Sequence, residues 1–179
     1  AAGPKWSRDH DTTPSLFAPV SAGGRLFYVV EEGPVCVIDK RLPDRYSIIA
    51  RDAFNGVVLW KRPVATWYSS QMIWGHIPVH SQRRLVAVDN CVYVTPGIQA
   101  PVIALDAANG TTRREYTGTE FTSEILFDDG KLLLSIRKES AEDGLAVGRD
   151  RQRFRRGFTG PTTDAEAVMA VDAETGKVL

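Results

Sequence analysis

The chain has 179 residues, 43% apolar and 25% charged, the balance of an ordinary soluble globular protein and not of a disordered one. Its 22 basic and 22 acidic side chains cancel, so no global field draws it to nucleic acid or to an anionic membrane surface, and any partner must be recognised locally. No apolar run approaches the roughly 18 residues of a membrane span.

In chain order, residues 1–15 carry Gly3-Pro4, Thr12-Thr13-Pro14 and the polar run 7–11, and read as a lead-in loop. They open without an initiator Met, a basic segment or an apolar signal core, so any targeting signal has been removed or lies outside this sequence. Residues 16–20 predict a short strand, 21–24 a tight turn, and 25–30 a second strand that is apolar on both faces and therefore expected between packed layers. Gly33-Pro34 and Leu42-Pro43-Asp44 mark 31–45 as an excursion around a possible short strand at 35–38. A hairpin follows over 46–63, then an irregular aromatic loop at 64–82 with Trp67, Tyr68 and Trp74.

The same order then recurs. Residues 84–88 and 91–95 predict strands around Asp89-Asn90, with a hairpin over 102–116. Residues 124–127 and 131–136 flank Asp128-Asp129-Gly130, a long polar excursion fills 137–165, and a third hairpin begins at 166, with the sequence ending inside its last strand. Helical periodicity is absent, and almost no α-helix is expected.

The hairpins carry a repeat. Ile48-Ile49-Ala50-Arg51-Asp52-Ala53-Phe54-Asn55-Gly56, Val102-Ile103-Ala104-Leu105-Asp106-Ala107-Ala108-Asn109-Gly110 and Val168-Met169-Ala170-Val171-Asp172-Ala173-Glu174-Thr175-Gly176 share apolar-apolar-Ala-x-Asp-Ala-x-x-Gly. An Asp opening a turn accepts the backbone N–H groups that follow it, and a Gly four positions on takes the positive φ that closes the turn. Each round is strand, turn, strand, variable loop, strand, Asp-x-x-x-Gly turn, strand. Four antiparallel strands per round is the pattern of a β-propeller blade. The expected organisation is a lead-in at 1–15, blade one at 16–63, the aromatic loop at 64–82, blade two at 83–117, and blade three at 118–179 with its insertion at 137–165.

Extended to Val57-Val58-Leu59-Trp60, the first copy resembles the repeats of quinoprotein-like (pyrroloquinoline-quinone-type) β-propellers, of the form apolar-x-Ala-apolar-Asp-Ala-x-x-Gly-x-x-apolar-Trp. The resemblance covers about 16–179; the second copy has Arg114 or Glu115 near the Trp position, and the third reaches Leu179, one position short of it. It implies an all-β propeller of seven or eight blades, so that this chain holds about three and the rest lie in cis. Family dehydrogenases bind the quinone with Ca²⁺ on the propeller axis, often over adjacent cysteines and beside a catalytic Asp. Cys36 and Cys91 are not adjacent, and Asp52, Asp106 and Asp172 match the turn, so no active-site residue carries over. Other members are non-enzymatic, including BamB-like outer-membrane assembly propellers. The missing Trp-Asp dipeptides argue against the Trp-Asp repeat family, and Gly23-Gly24 alone is too little for kelch.

The remaining candidates are weighed against plainer roles. Cys36 and Cys91 form no Cys-x-x-Cys and read as free, buried or half-buried thiols. His10 lies between Asp9 and Asp11, but adjacent residues in extended chain point apart; His76 and His80 share a face only on a helix, which Gly75 and Pro78 oppose. Arg149, Arg151, Arg153, Arg155 and Arg156, interleaved with Phe154 and Phe158, could cradle an anion, yet Glu139, Glu142, Asp143 and Asp150 flank them and favour a solvated insertion. Trp67, Tyr68 and Trp74 suit blade packing better than ligand stacking.

No catalytic or metal-binding residue is therefore assigned and no cofactor-binding residue identified; quinone and Ca²⁺ rest on the resemblance alone. The expected function is a non-catalytic scaffold or binding domain for a protein or small molecule. A quinone-dependent dehydrogenase with its active site in other blades, and a sensor domain fused to a separate enzyme, are the alternatives. The resemblance places the protein in the bacterial cell envelope, in the periplasm.

Overall fold

A computed structural model of the chain describes residues 16–32, 45–65, 83–97, 99–137 and 167–179. Three antiparallel sheets follow one another along the sequence. The first is β1 (Leu16–Ala22), β2 (Arg25–Glu31), β3 (Tyr46–Asp52) and β4 (Val58–Val64). The second is β5 (Leu85–Val88), β6 (Cys91–Val94), β7 (Val102–Asp106) and β8 (Thr112–Tyr116). The third is β9 (Thr122–Asp128), β10 (Lys131–Ile136) and β11 (Ala167–Asp172), with a bridge from Val171 to Val178 beyond it. In each sheet, spatial order is sequence order. The described residues form no α-helix, and none of them makes a helix long and apolar enough to cross a membrane.

The register is the same in all three. Asp52, Asp106 and Asp172 each sit opposite the first residue of the sheet's second strand, namely Arg25, Cys91 and Lys131. The first and second hairpins also share an irregularity, where Ala50 pairs with Trp60 and Arg51 with Val58, as Ala104 pairs with Arg114 and Leu105 with Thr112. Trp60 and Arg114 are therefore equivalent positions.

The Asp turns fold as their residues predict. Asp52 Oδ1 accepts the N–H groups of Phe54 (2.9 Å) and Asn55 (3.0 Å), and Asp106 Oδ1 those of Ala108 (2.8 Å) and Asn109 (3.2 Å). Gly56, Gly110 and Gly176 take φ of 75°, 75° and 77°, and each N–H bonds back to the carbonyl of its Asp at 2.8 to 2.9 Å. The Ala after each Asp has a second duty: the N–H groups of Ala53, Ala107 and Ala173 donate to the carbonyls of Gly24, Asn90 and Gly130. This bond ties the Asp turn to the tight turn between the sheet's first two strands. β1 runs through Ala22, so the first tight turn narrows to Gly23-Gly24.

Side-chain alternation then stacks the sheets in series. One apolar cluster joins Phe27, Ile48, Ala50 and Trp60 of the first sheet to Val92, Val94, Ile103 and Leu105 of the second. The opposite face of the second sheet, through Tyr93, Val102, Ala104 and Tyr116, packs on Ile125, Leu132, Leu134 and Val171 of the third. Each fully buried aliphatic side chain contributes roughly 1.5 to 3 kcal/mol, so two such clusters fix the sheets on each other. β2, read as apolar on both faces, is buried on both: Phe27 and Val29 enter the first cluster, while Tyr28 and Val30 join Ile49 in a smaller one. β5 lies beside β1 on one side and β9 on the other, so the first strands of the sheets are neighbours.

Candidate functional site

The two contacts between sheets differ at two equivalent positions, Trp60 against Arg114 and Arg62 against Tyr116. Between the first and second, the indole of Trp60 lies across the next Asp turn: its Nε1 donates to the Ala107 carbonyl at 3.0 Å, and a Cβ on Gly110 would stand 2.7 Å from the ring. That turn needs Gly twice over, for its left-handed φ and to leave room for the indole. Arg62 adds hydrogen bonds to the Gly110 carbonyl and to Thr112 Oγ1, both 2.9 Å.

Between the second and third sheets the Trp position holds Arg114. Its stem rests on Gly176, with Cδ 3.4 Å from where a Cβ would stand, and Nη1 donates to the Thr175 carbonyl at 3.0 Å. The Ala173 carbonyl, equivalent to the acceptor of the Trp60 indole, takes the Tyr116 hydroxyl at 2.6 Å. An arginine stem is slimmer than an indole, and a cleft of about 470 Å³ lies beside it, lined among others by Cys91, Tyr93, Arg113, Arg114, Phe127 and Lys131. Its floor is aromatic, with Tyr93 stacked on Phe127 at 5.6 Å between ring centroids.

The electrostatics are quiet. Burial pushes the Cys91 thiol up from its ordinary value, which keeps it protonated and a poor nucleophile at neutral pH. Burial likewise raises Tyr93, and raises Tyr116 to about 12, so both phenols are neutral hydrogen-bonding groups. Arg113 is committed to Asp106 through Nε at 3.1 Å and a second contact from Nη2, and this pairing holds the Asp106 carboxyl below its usual range. The cleft combines apolar surface with a protonated thiol and phenols, the Arg113–Asp106 pair, and the charged side chains of Arg114, Asp129, Lys131, Asp172 and Glu174.

Of the residues singled out in the sequence, Asp52, Asp106 and Asp172 are turn residues, and Cys91 is a free, half-buried thiol. Cys36, His10, His76, His80, Trp67, Tyr68, Trp74 and the 149–156 arginine cluster lie outside the described residues, as do Phe154, Phe158 and the possible strand at 35–38. Among the described residues no group of three or more His, Cys, Asp or Glu side chains is placed to hold a metal ion. The cleft itself was not foreseen. Its one signal is the arginine standing at the tryptophan position of the second repeat. No model of a known protein family and no curated protein sequence matches the chain.

Proposed function

We propose that the three sheets are consecutive blades of a quinoprotein-like β-propeller, completed in cis by further blades, and that the protein is a non-catalytic scaffold of the cell envelope. Its loops, and the cleft between the second and third sheets, serve a protein or small-molecule partner. The observation that carries the propeller reading is the serial stacking: β1, β5 and β9 lie side by side, the first sheet offers the face bearing Ile48 to the second, and the second offers the equivalent face bearing Val102 to the third. In a propeller the first strands line a central axis in this way. The non-catalytic reading rests on the cleft, whose thiol and phenols are protonated at neutral pH and whose Arg113 is tied to Asp106.

The test is a titration of the full-length polypeptide with pyrroloquinoline quinone and Ca²⁺, following tryptophan fluorescence and alcohol-dependent reduction of a dye. A scaffold shows neither saturable quenching nor dye reduction at micromolar quinone. Saturable quenching with turnover would replace this reading by a quinone-dependent dehydrogenase.

A further inference from the structure

The cleft between the second and third sheets brings three kinds of chemistry together. Its floor is the stacked pair Tyr93 and Phe127, whose rings lie 19° apart in plane. Tyr93 is buried and Phe127 only partly so, which makes Phe127 the ring that a bound molecule can reach. One wall is β8. There the register runs from Ala104 opposite Arg114 to Leu105 opposite Thr112 and skips Arg113. An extra residue in one strand re-aims the side chains beside it, and the two successive arginines, Arg113 and Arg114, both line the cleft. The facing wall belongs to the third sheet, through Asp129 and Lys131 at one turn and Asp172 and Glu174 at the next.

Some of these charges are already spent. Arg113 is taken up by Asp106, and Asp172 Oδ1 by the N–H and hydroxyl of Thr175, both 2.6 Å. Others are not. Among the described residues Arg114 engages only Nη1, on the Thr175 carbonyl, and no cation pairs with Glu174. Lys131 makes one long contact, 3.5 Å, with Asp129, whose side chain is 90% exposed. What remains is two cations and one carboxylate around an aromatic plate, in a space of about 470 Å³, within the roughly 300 to 1,000 Å³ of small-molecule sites. An aromatic anion would leave Glu174 against its charge, and an aromatic amine would leave Arg114 and Lys131 against it. A molecule with a ring, a carboxylate and an ammonium a few bonds apart satisfies all three. We propose that the cleft binds a free aromatic α-amino acid, with its ring on Phe127, its carboxylate between Arg114 and Lys131, and its ammonium on Glu174. Offset stacking and charge-assisted contacts then hold the two ends of one small molecule. The inference rests on the reading of the cleft as a binding place and names what that place takes.

Calorimetric titration of the full-length polypeptide with four probes tests each part: free tryptophan, tryptamine without the carboxylate, indole-3-propionate without the ammonium, and alanine without the ring. Tryptophan is expected to bind about tenfold or more tightly than either indole probe, since each of those lacks one charge-assisted contact, and alanine is expected to give no heat. Two exposed side chains supply variants that leave the fold in place. Lys131→Gln should weaken tryptophan and indole-3-propionate but not tryptamine, and Glu174→Gln should weaken tryptophan and tryptamine but not indole-3-propionate. Cys91 reports the location, because it lines the cleft as a free thiol: in Cys36→Ser protein, saturating tryptophan should slow its alkylation. Equal affinity for tryptophan and either indole probe overturns the proposal. So does binding that neither variant alters, or binding that leaves Cys91 alkylation unchanged. Absence of tryptophan binding overturns it too and leaves the scaffold reading standing, whereas quinone-dependent dye reduction removes the scaffold reading and leaves the tryptophan result intact.

Discussion

At the scale of single residues, the repeat assigns each side chain a neighbour in the next sheet as well as a local task. Gly110 shows both. A Cβ there would meet the Trp60 ring at 2.7 Å and would also have to adopt a φ of 75°, two costs of about 1 to 2 and about 1 to 3 kcal/mol for a left-handed non-glycine and an overpacked contact. Gly110→Val should therefore destabilise the chain by roughly 2 to 5 kcal/mol in urea unfolding. Gly24, with φ 72° and nothing within 4 Å, separates the two effects: Gly24→Ala should lose only the conformational part, about 1 kcal/mol. Equal losses at the two positions would mean that the indole does not press on Gly110. Trp60→Phe keeps most of the apolar surface and deletes the Nε1 bond to Ala107, for an expected loss of about 1 kcal/mol from the bond alone.

At the scale of the turn, the three Asp carboxylates work in parallel, and their titration gives a sign. Asp52 is held below its usual 3.8 by the N–H groups of Asn55 and then Phe54, Asp106 by Arg113 and then the N–H of Ala108, and Asp172 by the hydroxyl and then the N–H of Thr175. A carboxylate whose folded pKa is depressed stabilises the native state fully above the unfolded value, and loses that contribution as pH falls through the folded one. Stability should be flat near neutrality and decline once pH drops below about 4. The triple variant Asp52→Asn, Asp106→Asn, Asp172→Asn keeps a side-chain oxygen to accept the turn's N–H bonds, so it should fold and show a shallower decline between about pH 5 and pH 2. Urea midpoints measured across that range decide it, and an unchanged acid limb would place the titration elsewhere. These turns were legible because their physics is local: Asp and Gly declare themselves within five residues. The role of the intervening Ala was not, because its N–H bonds a tight turn far off in sequence and, at Ala107, its carbonyl serves an indole 47 residues away.

For the whole molecule, strand order and alternation could be read from apolar periodicity, and the all-β character followed from them. What periodicity leaves open is which face meets which sheet, since Ile103 and Leu105 point one way from β7 while Val102 and Ala104 point the other, and all four are apolar. The cleft was illegible for a related reason: it depends on the difference in girth between Trp60 and Arg114 after each has been placed against the following turn. Serial packing also has a mechanical consequence. Among the described residues the first and third sheets share no apolar cluster, and the second carries one contact on each face, so stability approximates a sum over neighbouring pairs, as in repeat proteins. Trp60→Ala strips the first contact of its largest side chain, a loss of about 3 to 5 kcal/mol, without touching Ile125, Leu132, Leu134 or Val171. Native-state hydrogen exchange should then show protection falling in β3, β4 and β7 well before it falls in β10. Leu134→Ala, on the other contact, should reverse the order, with β10 and β11 opening while β2 and β3 hold. Uniform loss of protection in both variants would mean that the sheets unfold as one cooperative unit, and that the face-to-face contacts transmit more strain through β7 than nearest-neighbour packing allows.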